Sequence, residues 1–329
     1  MYLCKIKHGV MDIKMLDRIF RKEGAFAVAV FANDTLTLDA LDERHLVYQR
    51  RIQGLWRPKP VLYQADSFLF VKGDTLYLFY ELQHWDDPGM IAMVKTRDLQ
   101  SWTEPVIVLR QPYHLSFPYV FEDNGVVYMV PESQESDAIH LFRADNDALT
   151  SFSKVRTLLS QERTEGIHYN LNDSHIYKKG KTYYLFTSYQ KDWMYYQELY
   201  MTDDLLQGEF VKHPCSPISQ SNEFGRNGGS LIDYDGRLLR VTQDCHQDYG
   251  DNVSLMEITM MDETHYAERL FRRNVLPSNS IFRDGGHQLN IVRFKGRYVY
   301  ATDYKQNRWA WYRLWVSLLV KLKLHKHRG

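Results

Sequence analysis

One β-hairpin pattern returns five times along this chain and constrains its fold more than any other feature of the sequence. The first copy, residues 66–81 (DSFLFVKGDTLYLFYE), is an apolar run, a glycine-containing turn and a second apolar, aromatic run. Four further copies, each with a glycine in its turn, occupy residues 117–132, 173–188, 229–244 and 289–304. Successive copies begin 51, 56, 56 and 60 residues apart, which is typical of repeat architectures.

The repeat predicts an all-β fold, most simply a five-bladed β-propeller with four strands in each blade. Little strand-like sequence follows the fifth hairpin, so we predict that residues 25–50 complete the last blade and close the ring. The predicted organisation is then an N-terminal segment over residues 1–24, a propeller over 25–305 and a tail over 306–329. Apolar residues at helical spacing predict a short helix within 10–23. A β-sandwich is the alternative, but it would not explain the even return of one hairpin type.

Composition excludes several classes of protein. The 41 basic and 41 acidic residues balance, so nothing in the overall charge favours binding to nucleic acid. Three widely spaced cysteines form neither a disulfide framework nor a zinc motif. The N-terminus lacks the apolar core of a signal peptide, and no stretch approaches the ~20 apolar residues of a membrane span. We therefore expect a cytoplasmic protein.

Polar residues recur where a propeller would gather them around one pocket. The first strand of each blade lines the central channel, so the same end of every first and second strand surrounds a shared site. Aligning the repeats collects the candidate binding residues Asp66, Glu81, His114, Glu132, Asn172, Asp173, Arg226, Asn227, Asp244, His287 and Asp303. A buried rim seldom holds so many charged and amide groups without a function, although Asp and Asn also favour strand ends for conformational reasons.

Two motifs carry a resemblance to known families. The DxFLF…G…YLFYE hairpin and the TRDLQSW turn at residues 96–102 resemble the five-bladed propeller glycosidases, the arabinanase and β-xylosidase group. The runs HLSFPYVFE (114–122) and YMVPES (128–133) are more distinctive. They are similar to the propeller domain at the N-terminus of plant glucosamine inositolphosphorylceramide transferases. Similar domains occur alone in bacteria, often encoded among surface-polysaccharide genes. The resemblance covers about residues 60–305.

The glycosidase resemblance implies roles for particular residues. Those enzymes use an Asp base in blade one, an orienting Asp in blade three and a Glu acid in blade four. Asp66 matches the base, Asp173 the orienting residue, and His287 a histidine that faces the channel in blade five. At the position of the acid this chain instead has Arg226-Asn227-Gly228-Gly229, without a carboxylate.

The replaced acid favours sugar transfer over hydrolysis. Hydrolysis of a glycoside needs a proton donor for a poor alkoxide leaving group. A phosphate-activated donor releases a stable anion, which an arginine binds in bidentate fashion. An acceptor hydroxyl still needs a base, which Asp66 can supply. If Glu132 or Glu165 reached the pocket, it would replace the missing acid, and the protein could still hydrolyse glycosides.

No cofactor or metal is predicted. The sequence holds no dinucleotide-binding glycine motif and no P-loop, so a nucleotide would be bound in a way that no motif indicates. It also lacks a clear D-x-D pair of the kind that holds a metal-bound nucleotide sugar.

The C-terminal tail is basic and amphipathic. Residues 308–328 contain no acidic side chain, and Trp311, Trp315, Leu318 and Leu322 fall on one face of a helix. Such a helix binds at an anionic membrane surface, and packing on the propeller is the alternative.

The sequence therefore predicts a glycosyltransferase-type enzyme of surface-polysaccharide or glycolipid synthesis. It would work at the inner face of the cell membrane and transfer a sugar from a phosphate-activated donor to a glycan acceptor, in particular a lipid-linked one. The catalytic residues would be Asp66, Asp173 and Arg226, and the other pocket residues would bind substrate. A propeller-type glycoside hydrolase and a non-catalytic carbohydrate-binding partner of a transferase are the alternatives.

Overall fold

A computed structural model describes residues 22–52, 61–84, 87–160 and 170–309, together with residues 318 and 322. The regular secondary structure of the described residues is almost entirely β-strand. The strands are β1 (Lys22–Asn33), β2 (Leu46–Gln49), β3 (Val61–Lys72), β4 (Thr75–His84), β5 (Met90–Thr96), β6 (Val106–Leu109), β7 (Ser116–Asp123), β8 (Val126–Glu132), β9 (Ala138–Ala144), β10 (Phe152–Ser160), β11 (Asn172–Lys179), β12 (Thr182–Lys191), β13 (Met194–Thr202), β14 (Val211–Lys212), β15 (Ser219–Gln220), β16 (Ile232–Tyr234), β17 (Arg237–Asp244), β18 (Asn252–Met261), β19 (Tyr266–Arg272), β20 (Leu289–Phe294) and β21 (Arg297–Trp309). Three short 3-10 helices are Leu38–Ala40, Glu43–His45 and Gln134–Ser136.

These strands form five antiparallel blades. Blades one to four follow the chain order as β3–β6, β7–β10, β11–β15 and β16–β19. In blade five, β20 pairs with β21, β21 with β1, and β1 with β2. A parallel bridge between Phe26 and Tyr63 joins blade five to blade one. The all-β five-bladed propeller predicted from the repeat is thus confirmed.

The ring is closed by the N-terminal part of the described chain. β1 pairs with β21 without a break, from Lys22 opposite Trp309 to Asn33 opposite Tyr298. The outer half of blade five therefore comes from residues 22–49, while its inner half comes from the C-terminal side of the propeller. This pairing places β1 beside the channel end of the neighbouring strands, where it contributes to the site described below.

Turn chemistry explains the hairpins. Asn124 and Gly125 link β7 to β8 with φ values of 50° and 77°, and Asp235 and Gly236 link β16 to β17 with 52° and 77°. Two successive positive φ values are typical of the type I′ turn, whose twist matches that of the flanking strands. These residue types adopt that conformation at low cost, which is why the glycine recurs in every repeat.

Burial on both faces explains the nearly continuous apolar runs. Nine of the ten residues of β4 are buried, and only His84 is partly exposed. The blades pack face to face, so both sides of a central strand meet apolar neighbours rather than water. Between blades one and two, for example, Phe79, Met93, Val120 and Met129 belong to one buried cluster.

The two predicted terminal segments are described only in part. Residues 22 and 23 of the predicted N-terminal helix lie in β1, and the rest of that helix lies outside the described residues. Residues 306–309 of the predicted tail belong to β21. Further on, the Leu322 N–H donates to the Leu318 carbonyl at 2.9 Å. Within the described ranges, no helix has the length and apolar character needed to cross a membrane.

Candidate active site

A cavity of about 520 Å³ opens at one end of the central channel. Six of the predicted site residues line it: Asp66, Glu81, His114, Glu132, Arg226 and His287. They come from blades one, two, four and five, although they are separated by up to 221 residues in the sequence (Asp66 to His287). The repeat alignment therefore identified residues that the fold brings together.

The other predicted residues lie next to the cavity or away from it. Asp173, Asn172, Asn227 and Asp303 are buried beside its lining rather than in it. Asp244 is different, since its carboxylate accepts the His246 N–H at 2.9 Å and caps the following loop. Its position at a strand end thus has a conformational explanation. Glu165 lies outside the described residues.

A repeated backbone irregularity aims the aspartates at the channel. Asp66 and Asp173 have φ values of 54° and 49°, and Phe117 has 43° at the equivalent place in blade two. In each case the register between first and second strand shifts at this residue. Such a bulge turns a side chain out of the regular alternation. Non-glycine residues with positive φ are strained, and strain of this kind clusters at functional sites.

Polar side chains hold these bulges from the preceding blade. Four backbone N–H groups donate to such side chains: Asp66 to Asp303 Oδ2 (3.0 Å), Phe117 to Asp66 Oδ2 (3.3 Å), Asp173 to Glu132 Oε2 (3.0 Å) and Asn227 to Ser188 Oγ (2.9 Å). Part of the polar rim therefore exists to satisfy buried backbone donors, which would otherwise destabilise the fold.

Asp66, His287 and Asp303 form a buried chain of charged groups. His287 Nδ1 lies 2.8 Å from Asp303 Oδ2, and its Nε2 lies 3.3 Å from Asp66 Oδ1. Burial raises the pKa of Asp66 to about 7, although His287 opposes the shift. Burial lowers the pKa of His287, but Asp303 and Asp66 more than offset this, so the net pKa is raised. At neutral pH this chain can hold or release a proton at Asp66.

Arg226 is held at the cavity by several contacts. Its Nε forms an ion pair with Asp173, and its Nη1 donates to the Tyr195 hydroxyl at 3.2 Å. The guanidinium carbon lies 5.4 Å from the Tyr195 ring centroid and 5.0 Å from that of Tyr249. Gln243 donates to the same Asp173 oxygen at 3.2 Å. The guanidinium is therefore a rigid positive charge at the cavity wall.

Two further carboxyl groups line the cavity. Burial, together with neighbouring carboxylates, raises the pKa values of Glu81 and Glu132 well above the usual range. Glu81 Oε1 lies 3.4 Å from His114 Nε2. A carboxyl group that stays protonated near neutral pH can donate a proton, so these two are candidate acids.

The comparisons with known proteins place this site in a family. Residues 57–281 match the family model described as glucosamine inositolphosphorylceramide transferase 1, N-terminal. The chain belongs to this family. A curated relative, glucosamine inositolphosphorylceramide transferase 1 of Arabidopsis thaliana, is 31% identical over 276 residues, covering 75% of this chain and 34% of the relative. The chain thus spans about a third of the length of the curated relatives that it matches.

Solved structures support the fold of this transferase N-terminal family. The GH32 β-fructofuranosidase of Bombyx mori is similar with a TM-score of 0.53 at 14% identity, covering 75% of this chain and 57% of that chain. A family 117 glycoside hydrolase of Zobellia galactanivorans is similar with a TM-score of 0.52 at 12% identity, covering 74% and 84%. At such identities the likeness concerns the fold alone.

The family match covers only part of the site. It includes Asp66, Asp173 and Arg226, whereas His287 and Asp303 lie beyond its end at residue 281. The family segment thus supplies the first four blades, and residues outside the match complete the cavity.

A metal ion has one candidate location among the described residues. One ligand atom each from Asp66, His287 and Asp303 lies within 4.8 Å of the others. These groups already form two ion pairs with one another, and the raised pKa of His287 favours the imidazolium, which cannot ligate a metal. The arrangement therefore suits proton transfer better than metal binding.

Several cavity residues were missed by sequence reasoning. Phe26 lies in β1, Tyr249 in the loop after β17, and Lys305 in β21 two residues beyond Asp303. Phe26, Tyr249 and His287 form an aromatic cluster with ring centroids 4.5–6.0 Å apart. A loop residue has no fixed place in the repeat, but Lys305 shares the face of Asp303 on its strand, and that alternation was a usable signal.

Proposed function

We propose that the propeller transfers a sugar from a phosphate-activated donor to a glycan acceptor. The observation that carries this proposal is Arg226, a nearly buried cation at the cavity wall in the position where the resemblance places the glycosidase acid. A cation there stabilises a departing phosphate, whereas it cannot protonate a departing alkoxide at neutral pH.

The residues around the cavity suit the remaining steps. Asp66, with a pKa of about 7, takes the proton of the attacking acceptor hydroxyl. The positive charge of His287 holds the Asp66 carboxylate in place. Asp173 orients Arg226 through their ion pair, and the aromatic cluster gives the sugar rings an apolar surface.

We further propose that the acceptor is lipid-linked and that the protein works at the inner membrane surface in glycolipid or surface-polysaccharide synthesis. The curated relatives are named glucosamine inositolphosphorylceramide transferase 1, and inositolphosphorylceramide is a lipid. The basic, amphipathic tail supports attachment to anionic lipid.

The tail is tested by removing residues 310–329, a boundary that leaves β21 intact. We expect the truncated protein to sediment less with anionic vesicles and to unfold at an unchanged temperature. Salt should weaken the binding of the full chain, since ions screen charges beyond ~8–10 Å. Equal vesicle binding by both proteins would show that the tail packs on the propeller instead.

Two other functions each rest on a specific observation. The raised pKa values of Glu81 and Glu132 provide the acid that a glycoside hydrolase needs. The short coverage of the curated relatives favours a non-catalytic sugar-binding domain that assists a separate transferase.

One set of assays separates the three. Purified protein is incubated with nucleotide sugars and a lipid-linked glycan acceptor, and in parallel with aryl glycosides. Transfer that is lost in Asp66→Asn supports the proposal. Cleavage of aryl glycosides that is lost in Glu132→Gln and unaffected by Arg226→Lys would favour the hydrolase. Glycan binding without either activity, and unchanged in Asp66→Asn, would favour the binding domain.

A further inference from the structure

Lys305 is a buried lysine on the wall of two cavities. Its side chain is 2% exposed, and it borders both the 520 Å³ cavity of the active site and an adjoining cavity of about 350 Å³. Burying an ammonium group is costly unless a partner compensates it. The group that pairs with Lys305 therefore indicates which kind of anion binds at this position.

The ion pair of Lys305 is asymmetric. Its Nζ lies 2.9 Å from Asp248 Oδ2 and donates to the Tyr249 carbonyl at 2.8 Å. The Asp248 side chain is 62% exposed, in the loop between β17 and β18. By contrast, Arg240 and Glu268, which pair between strands, are 0% and 9% exposed. A solvated carboxylate can leave its partner at little cost, whereas the buried ammonium then needs another anion.

The fold makes room for this lysine. A Cβ atom on Gly24, in the adjacent strand β1, would lie 2.8 Å from Lys305 Cδ. Glycine at this position lets the aliphatic part of Lys305 cross β1 and brings the ammonium to the junction of the two cavities.

Lys305 and Arg226 contact the same residue. The Arg226 guanidinium lies over the Tyr249 ring at 5.0 Å, and the Tyr249 carbonyl accepts from Lys305. Both cations thus contact one tyrosine and border one cavity. Burial raises the pKa of Asp66, which lines the same cavity, and this reduces the negative charge that an incoming anion would meet.

We propose that Lys305 is a second phosphate-binding residue. In the free protein the Asp248 carboxylate occupies the phosphate position beside Lys305, and a bound diphosphate displaces this carboxylate. Arg226 binds one phosphate group and Lys305 the other, so the ligand class is a diphosphate-activated sugar. This inference rests on the proposed function and names the donor chemistry of the same site.

Two substitutions with opposite expected effects test it. Inorganic pyrophosphate is titrated into the full chain in metal-free buffer and followed by calorimetry. Lys305→Met should weaken binding about tenfold or more, because it removes a charge-assisted hydrogen bond. Asp248→Asn should strengthen binding several-fold, since it removes the competing carboxylate and keeps its shape.

Arg283→Gln is the matched control. Arg283 is 65% exposed and borders only the adjoining cavity, so its loss removes one positive charge without touching the active-site cavity. Binding should change less than about twofold, as for an exposed charge screened by solvent. Titrations with UDP and farnesyl diphosphate then distinguish a nucleoside diphosphate from a lipid diphosphate as the source.

The outcomes separate this inference from the function on which it rests. Pyrophosphate binding that weakens in Lys305→Met and strengthens in Asp248→Asn supports the site, even if no transfer is detected. Unchanged binding in Asp248→Asn would overturn it, once circular dichroism and the unfolding temperature show that the variant is folded although Lys305 has lost its carboxylate partner. Transfer activity that survives Lys305→Met at full rate would also overturn it and leave the proposed function standing.

Discussion

Two acid–cation pairs meet at the cavity, and they differ in what the cation can do. In the first pair Asp173 is bound to Arg226, whose guanidinium keeps its charge at any accessible pH. In the second pair Asp66 is bound to His287, whose imidazole can release a proton. The first pair is braced by Tyr195, while the second continues into Asp303.

The difference separates two tasks that a transfer reaction needs. A fixed charge stabilises an anion without being consumed, which suits a leaving phosphate. A pair that shares a proton near neutrality can accept one from a hydroxyl and return it. Under the proposed function, the raised pKa of Asp66 suits the base and the rigid setting of Arg226 suits the electrostatic role in one cavity.

The largest effect is expected when the proton-sharing pair loses its base. Asp66→Asn keeps an acceptor for the Phe117 N–H but cannot take a proton. The turnover number should fall about 10²–10⁴-fold, the usual contribution of general base catalysis, while donor binding changes little. Steady-state kinetics and calorimetry measure the two quantities. If turnover fell less than tenfold, another residue would have to be the base, and the role assigned to Asp66 would be wrong.

A smaller loss of turnover is expected from a change in the Asp173–Arg226 pair. Arg226→Lys keeps the charge but cannot contact Asp173, Tyr195 and a phosphate together. The turnover number should fall roughly 10–100-fold, since one charge-assisted hydrogen bond to the phosphate is lost. Lys212→Arg is the matched control, since it also exchanges one cation for another and lies outside the cavity. An equal loss in both variants would show that the loss is not specific to Arg226.

The two pairs should also differ in how stability depends on pH. The folded protein holds a proton on Asp66 between the ordinary pKa of 3.8 and about 7, whereas the unfolded chain does not. The contribution of Asp66 to the free energy of unfolding is therefore largest below pH 4 and is lost as the pH rises to about 7. The raised pKa of His287 acts in the same direction.

Asp66→Asn should remove this dependence. Relative to wild type, the variant should gain on the order of 1–3 kcal/mol between pH 4 and pH 8, less than the full shift because Asp66 and His287 titrate together. Urea unfolding at both pH values measures the change. A constant difference between the two proteins across this range would contradict the raised pKa of Asp66.

Much of this arrangement was predictable from the repeat, and the failures have identifiable causes. Aligning the hairpins located Asp66, Arg226 and His287 because first strands share one channel end. Asp244 was misplaced, since a strand-end aspartate that caps a loop has the same sequence pattern as one that faces a cavity. Tyr249 lies in a loop whose path depends on tertiary contacts, and sequence periodicity holds no information about it.

The function of each residue around the cavity was harder to predict than its presence there. Glu132 looked like a binding residue, yet its Oε2 also accepts the Asp173 N–H from the next blade. Partners of this kind come from tertiary pairing of bulges, which a single sequence does not specify. The predicted propeller rests on many repeated positions, whereas each site assignment rests on one.

The smallest loss of turnover should come from removing one of the contacts that hold Arg226 beside Asp173. Tyr195→Phe removes the hydroxyl that accepts from Arg226 Nη1 and keeps the ring beneath the guanidinium. Because Asp173 and the Tyr249 ring still hold Arg226, turnover should fall only about threefold, in line with one net hydrogen bond of ~0.5–1.5 kcal/mol. Tyr196→Phe, a neighbour stacked on Tyr189, is the matched control and should leave turnover unchanged. A loss in Tyr195→Phe as large as that in Arg226→Lys would mean that one contact rather than several holds the arginine in place.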